Sequence, residues 1–154
     1  MIPSDPATTV SGHPSRVLDF LKRISGDRTM VGIHNDLKSG SPSTWTERLH
    51  AITGKYPALW SGDFLFDDRA EYRWAMIREA ERQWDAGAVV NLMWHACPPI
   101  QKEPCAWKGG ILSRLKDSEW ADLITAGGAL NREWEKRLDA LVPYLGYLAE
   151  RNIE

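Results

Sequence analysis

The chain has 154 residues, 19 basic and 21 acidic side chains, a formal charge of −2 and 43% apolar residues. That is one domain's length, enough to bury about 70% of the surface its unfolded chain exposes. Near-neutral charge without a basic tract excludes an electrostatic nucleic-acid binder, and no stretch reaches the ~20 apolar residues of a membrane span.

Residues 1–14 read as a lead-in without regular structure. Met1-Ile2-Pro3-Ser4-Asp5-Pro6 has neither the basic nor the apolar region of a signal peptide, which leaves a cytosolic protein or one whose signal has been removed. No linker, repeat or low-complexity tract divides residues 15–154, so they are expected to form one domain.

Ser15 is the expected N-cap of a first helix with Val17, Leu18, Leu21 and Ile24 on one face, ended by Gly26-Asp27. Thr29-Met30-Val31-Gly32-Ile33 is a run of strand length. Pro42-Ser43 opens a second helix with Trp45, Leu49 and Ile52 in phase, and Gly54 stops it. Pro57-Ala58-Leu59-Trp60 predicts a second strand, closed by Ser61-Gly62. A third helix from about Arg69 to Trp84 carries Tyr72, Met76, Ile77 and Ala80 on one side. Ala88 to Trp94 is a nearly continuous apolar run, as expected of a parallel strand buried on both faces. After a long loop from His95 come a short helix near Ser118–Thr125 and a long one from Leu130 to about Arg151, interrupted by Pro143.

The order α-β-α-β-α-β-α predicts parallel strands with right-handed crossovers. Three such strands alone leave unpaired edges and a bare apolar face. The polar and aromatic residues also gather after the strands rather than before them, as at the rim of a (β/α)8 barrel. A full barrel takes about 250 residues. The fold class is therefore α/β, a partial (β/α)8 TIM barrel of about the first three β/α units.

The rim candidates follow directly. His34, Asn35 and Asp36 end the first strand, Asp63, Asp67 and Asp68 follow the second, and Trp94 and His95 end the third. Each has a plainer reading: a turn and helix cap for His34-Asn35-Asp36, a turn for Asp63, a helix cap for Asp67 and Asp68, a structural histidine for His95. One alternative joins His34, Asp63 and His95 as the ligands of a metal-dependent hydrolase, although no H-x-H or H-E-x-x-H spacing accompanies them. Cys97 and Cys105 lie eight apart; they are unrelated thiols or a small loop-closing disulfide of an oxidising compartment.

Eight tryptophans are the compositional oddity. Trp45, Trp74, Trp84, Trp120 and Trp134 fall in predicted helices and are expected to pack on the sheet. Trp60, Trp94 and Trp107 sit at strand ends or in the following loop. A flat indole complements the C–H face of a pyranose, while His, Asp and Asn bond its hydroxyls. Gly109-Gly110 and Gly127-Gly128 lack the fingerprint of a phosphate cradle, so the rim favours a sugar, with no cofactor.

Tyr56-Pro57-Ala58-Leu59-Trp60-Ser61-Gly62-Asp63-Phe64, Gln83-Trp84 with Gly87, and Leu92-Met93-Trp94-His95-Ala96-Cys97-Pro98-Pro99 resemble glycoside hydrolase family 26. Ile124 to Asn131 and Trp134 to Leu148 also resemble the stretch before the family's fourth strand. The family is mostly endo-β-1,4-mannanases of the (β/α)8 class. The resemblance implies a β-mannan-type polysaccharide as partner, with His95 and Asp63 near the sugar and Trp107 as a stacking residue. It also implies an extracellular or periplasmic location.

Retaining hydrolysis needs two carboxyl groups roughly 5–5.5 Å apart. The family's acid/base and nucleophile glutamates belong to its fourth and seventh strands, and nothing here matches them; Glu154 precedes the expected fourth strand. The expectation is an inactive chain that binds substrate through His95, Asp63, Trp107, Trp94, Trp60, His34 and Asn35. Its alternative is a non-catalytic truncated barrel that binds carbohydrate and covers its edges by self-association.

Overall fold

The computed structural model describes residues 16–63, 70–102, 105, 108, 110 and 114–154. The expected lead-in, Ser15, Asp67, Asp68 and Trp107 lie outside the described residues. The elements run α1 (Arg16–Ile24), β1 (Gly32–Asn35), a 3-10 turn (Leu37–Ser39), α2 (Thr44–Thr53), β2 (Leu59–Asp63), α3 (Ala70–Asp85) and β3 (Val89–Met93), then α4 (Asp117–Ile124), α5 (Ala129–Asp139) and α6 (Val142–Glu150). The strands form one parallel sheet in the order β1-β2-β3, each joined to the next by a helix. This is the α/β architecture of a partial barrel.

Two strands end later than apolarity alone suggests. β1 runs through His34 and Asn35, and β2 through Ser61, Gly62 and Asp63. Parallel pairing continues through both: His34 and Ser61 face an open side of the sheet, whereas Asn35 and Gly62 face the packed side. Partners in register share a face, so His34, Ser61 and Asn91 line up on one side. Ser61 donates to Asn91 Oδ1 at 3.0 Å and lies 3.0 Å from Nδ1 of His34. β3 is accordingly not buried on both faces, because Asn91 on this open side is exposed.

The opposite face makes the core. Trp60 is fully buried with Met76, Ile77 and Ala80 of α3, and Tyr144 and Leu148 of α6 close the cluster. The indole folds over the backbone of Gly62, where a Cβ would stand 2.3 Å from the Trp60 ring and 2.7 Å from Met76 Cε. Only glycine lets the chain pass beneath that ring on its way to Asp63. Trp74 packs at the rim of the core, 4.9 Å from the Tyr144 ring and 5.4 Å from the Tyr147 ring, and Trp84 also packs against it. Trp45 and Trp120, expected on the sheet, are 38% and 55% exposed.

The long helix expected from Leu130 to Arg151 is two helices. Pro143 within a continuous helix would remove a backbone bond and clash with the preceding turn. The chain instead ends α5 at Asp139 and starts α6 with Pro143 in its first turn, where no donor is missed. Asp122 of α4 accepts from the amides of Ala129 and Leu130 at 3.2 and 2.8 Å, serving the first turn of α5. α2 and α3 are tied by Glu79, which accepts from Arg82 at 2.6 and 2.9 Å, from Gln83 at 2.8 Å, and from Ser43 at the head of α2. Among the described residues no helix is long and apolar enough to cross a membrane.

Candidate functional site

Asp63 is the last residue of β2, and His95 lies two residues beyond the end of β3. Asp63 and Met93 are register partners at the C-terminal edge of the sheet, so the loop after β3 starts beside Asp63. His95 Nε2 is 3.2 Å from Asp63 Oδ2, with side chains 17% and 13% exposed. A carboxylate only accepts, so a hydrogen bond across this contact requires the tautomer or charge state in which Nε2 bears hydrogen. The other carboxylate oxygen, Oδ1, is buried and has no hydrogen-bond partner among the described residues. An unpaired buried acceptor costs about 1–3 kcal/mol, and a ligand hydroxyl is the kind of donor that would satisfy it.

The other predicted residues separate into distinct roles. His34 lies deeper, on the open face, bonded to Ser61. Asn35 is fully buried and caps α2: Oδ1 accepts from the amides of Trp45 and Thr46 at 3.1 and 3.2 Å, and Nδ2 donates to Thr46 Oγ1 at 3.0 Å. Ser43, the N-cap by position, makes no side-chain cap bond, which leaves the task to Asn35. Asn35 is thus a structural residue, with no polar atom left facing outward for a sugar. Trp60 is likewise corrected from rim to core: it has no exposed surface, and its N–H donates to the Pro42 carbonyl at 3.2 Å. Asp36 accepts from the Ser39 amide at 2.9 Å and caps the 3-10 turn.

The metal alternative fails on geometry. His34 is two register positions from Asp63, and no group of three or more His, Cys, Asp or Glu among the described residues could hold an ion.

Trp94 is partly buried and stacks on Trp134 of α5, with ring centroids 5.3 Å apart and an interplanar angle of 20°. Three residues on, Arg137 is buried and donates to the carbonyls of Cys97, Pro98 and Gln101. Cys97 and Cys105 are joined as a disulfide, with Cα atoms 5.9 Å apart. The loop bearing His95 is thus held from α5 and by its own cross-link. Sequence reasoning missed Arg137, though it left a signal: a lone cation in phase with Leu130, Trp134 and Leu141. Leu138, the next residue along α5, is 40% exposed.

Glu79, between α2 and α3, is an ionisable group with a shifted pKa. Burial pushes the Glu79 carboxyl up, but hydrogen bonds from Arg82, Gln83 and Ser43 and the Arg82 charge outweigh it, leaving a net lowering. Such a group stays ionised and is no general acid, which needs the opposite shift. Tyr56 and Tyr147 are raised, first by hydrogen bonds to Glu47 and Glu81.

A parallel β/α sheet with a polar pair at the C-terminal ends of its strands defines the class: a partial barrel with a rim site. No protein-family model and no curated protein matches the chain. Among solved structures it is similar to the GH26A protein from Muricauda sp. MAR_2010_75, at 28% identity and TM-score 0.79, over 89% of this chain and 44% of that one. It is also similar to a beta-mannanase from a symbiotic protist of the termite Reticulitermes speratus, solved with a gluco-manno-oligosaccharide: 19% identity, TM-score 0.72, 99% of this chain and 50% of that one. A third is the Podospora anserina GH26-CBM35 beta-(1,4)-mannanase, at 24% identity and TM-score 0.63, over 88% of this chain and 31% of that one. The chain is glycoside hydrolase family 26-like, and it spans half or less of the length of these neighbours.

Proposed function

We propose that the chain supplies the first three β/α units of a family 26-type glycoside hydrolase acting on β-1,4-mannan-type polysaccharides. The observation that carries this reading is the 28% identity to the Muricauda GH26A protein over 89% of the chain, at TM-score 0.79. The Asp63–His95 pair at the strand ends supports it: a buried acceptor and an imidazole together suit the hydroxyls of a sugar. Trp107 would stack on the ring. The Cys97–Cys105 disulfide supports an extracellular or periplasmic setting.

Cleavage would proceed by retention through two glutamates, which this reading assigns to β/α units later than these three. Among the described strand-end carboxylates, Asp36 caps a turn and Asp63 faces His95. The chain alone would therefore bind without cleaving.

Affinity electrophoresis in galactomannan gels tests the binding, with reducing-sugar release measured alongside. Retarded migration that His95→Ala weakens, with no sugar released, is the expected result. Unretarded migration would remove the mannan reading. Hydrolysis abolished by Asp63→Ala would overturn the assignment of both catalytic carboxylates to other sequence.

A second reading, a non-catalytic carbohydrate-binding protein that self-associates, is favoured by the position of β1 at the edge of the sheet among the described strands. Val31 and Leu18 are 62% and 53% exposed. Light scattering separates the two, since a dimer supports self-association and a well-folded monomer removes it.

A further inference from the structure

We infer that Arg137 is a positioning residue for His95: from α5 it fixes the backbone after β3 so that the imidazole meets Asp63. The inference deepens the sugar-site reading and rests on it for its functional meaning, while its geometry stands alone.

Arg137 is 5% exposed. Nη1 donates to the carbonyls of Cys97 and Pro98, the latter at 2.7 Å, and Nη2 donates to the Gln101 carbonyl at 2.7 Å. The planar fork of a guanidinium reaches three carbonyls at fixed angles, which the point charge of a lysine does not. One turn earlier on the same helix Trp134 stacks on Trp94. Cys97 is also held by its disulfide to Cys105. His95 therefore sits between anchors at residues 94 and 97, in a segment outside any helix or strand.

Packing alone does not account for this arrangement. Burying a guanidinium is costly, and here Nε is buried without a hydrogen-bond partner among the described residues. Glu133, its carboxylate neighbour on α5, is 3.6 Å from Nη2, and its side chain is 42% exposed. An apolar side chain would fill the space without that penalty. What the arginine adds is a defined place for three carbonyls, the first of them two residues from His95.

The test follows the ring 15N–1H signals of His95 in the whole chain. In a folded Arg137→Ala protein these signals should move, and ethylguanidinium should restore them while ethylammonium should not. A purely structural arginine would lower the melting temperature and leave the His95 signals of the folded protein in place, which overturns the inference. Should Arg137→Ala fail to fold, Trp134→Leu and the unaltered protein carry the test. Trp134→Leu should also displace the His95 signals, and the Arg137 Nη protons should exchange slowly with solvent. Unmoved signals or exchange at the rate of free guanidinium overturns it. Mannotetraose titration separates the two readings: no binding by the unaltered protein, with His95 still dependent on Arg137, sinks only the sugar site.

Discussion

The Asp63 carboxylate meets His95 through one oxygen, 3.2 Å from Nε2, while its other oxygen is buried without a hydrogen-bond partner among the described residues. Two strands converge on this contact, β2 ending in Asp63 and β3 leading into His95. Under the proposed function, a ligand hydroxyl would recover that cost on binding. Asp63→Ala should leave urea stability within about 1 kcal/mol, because the lost pairing is offset by relief of the buried acceptor. Manno-oligosaccharide affinity should fall about tenfold or more, in line with hydrogen bonds to charged groups. Calorimetry with mannotetraose measures the second effect; a stability loss above about 3 kcal/mol would make Asp63 structural instead.

Trp60 and Gly62 act together in the core. Trp60→Ala should destabilise by about 3–5 kcal/mol through the lost burial and the cavity left behind. Gly62→Ala should cost about 1–3 kcal/mol by forcing its methyl into the Trp60 ring. Urea unfolding followed by tryptophan fluorescence reads both, and a neutral Gly62→Ala would show that the indole moves aside.

Closing a loop of eight residues' separation, the Cys97–Cys105 bond should contribute about 2.5 kcal/mol through the unfolded chain's lost entropy. The double variant Cys97→Ala, Cys105→Ser should lower the urea midpoint accordingly. Equal midpoints would mean that Arg137 already restrains the loop in full.

Glu79 sets an acid limit. Its carboxyl is lowered in the folded state from 4.5, so between the folded and unfolded values the unfolded chain binds more protons. Its stabilisation is therefore present above about pH 4.5 and is lost as pH falls through the folded value. Urea midpoints across the acid range should show unaltered protein and Glu79→Gln converging as pH drops. A gap that stays constant would show that Glu79 does not titrate with folding.

The alternation of helices and strands was legible because β2 and β3 carry apolar residues such as Trp60 and Val90 toward the core, and helices carry stops, as at Gly54. The strand ends were not, because His34, Ser61 and Asn91 are polar residues paired on an open face, and polarity there looks like a loop. The pairing of Asp63 with His95 was legible only as shared membership of one rim. Asn35 illustrates an ambiguity of side-chain chemistry: the same amide that could bond a sugar caps a helix, and burial alone decides. Arg137 was hidden because charge argues for the surface, whereas its partners are carbonyls from a loop whose path the sequence does not give.

The rungs of the His34–Ser61–Asn91 ladder join residues 27 and 30 positions apart. Loop-closure entropy grows only with the logarithm of length, so the two strand pairings differ by about 0.1 kcal/mol on that count. Chain length thus gives neither pairing a head start during folding. The order of assembly falls to the side chains, and β2, which both pairings share, carries Trp60. Its indole should nucleate the sheet from the middle, with the outer strands docking on either side and the polar rungs fixing their register last.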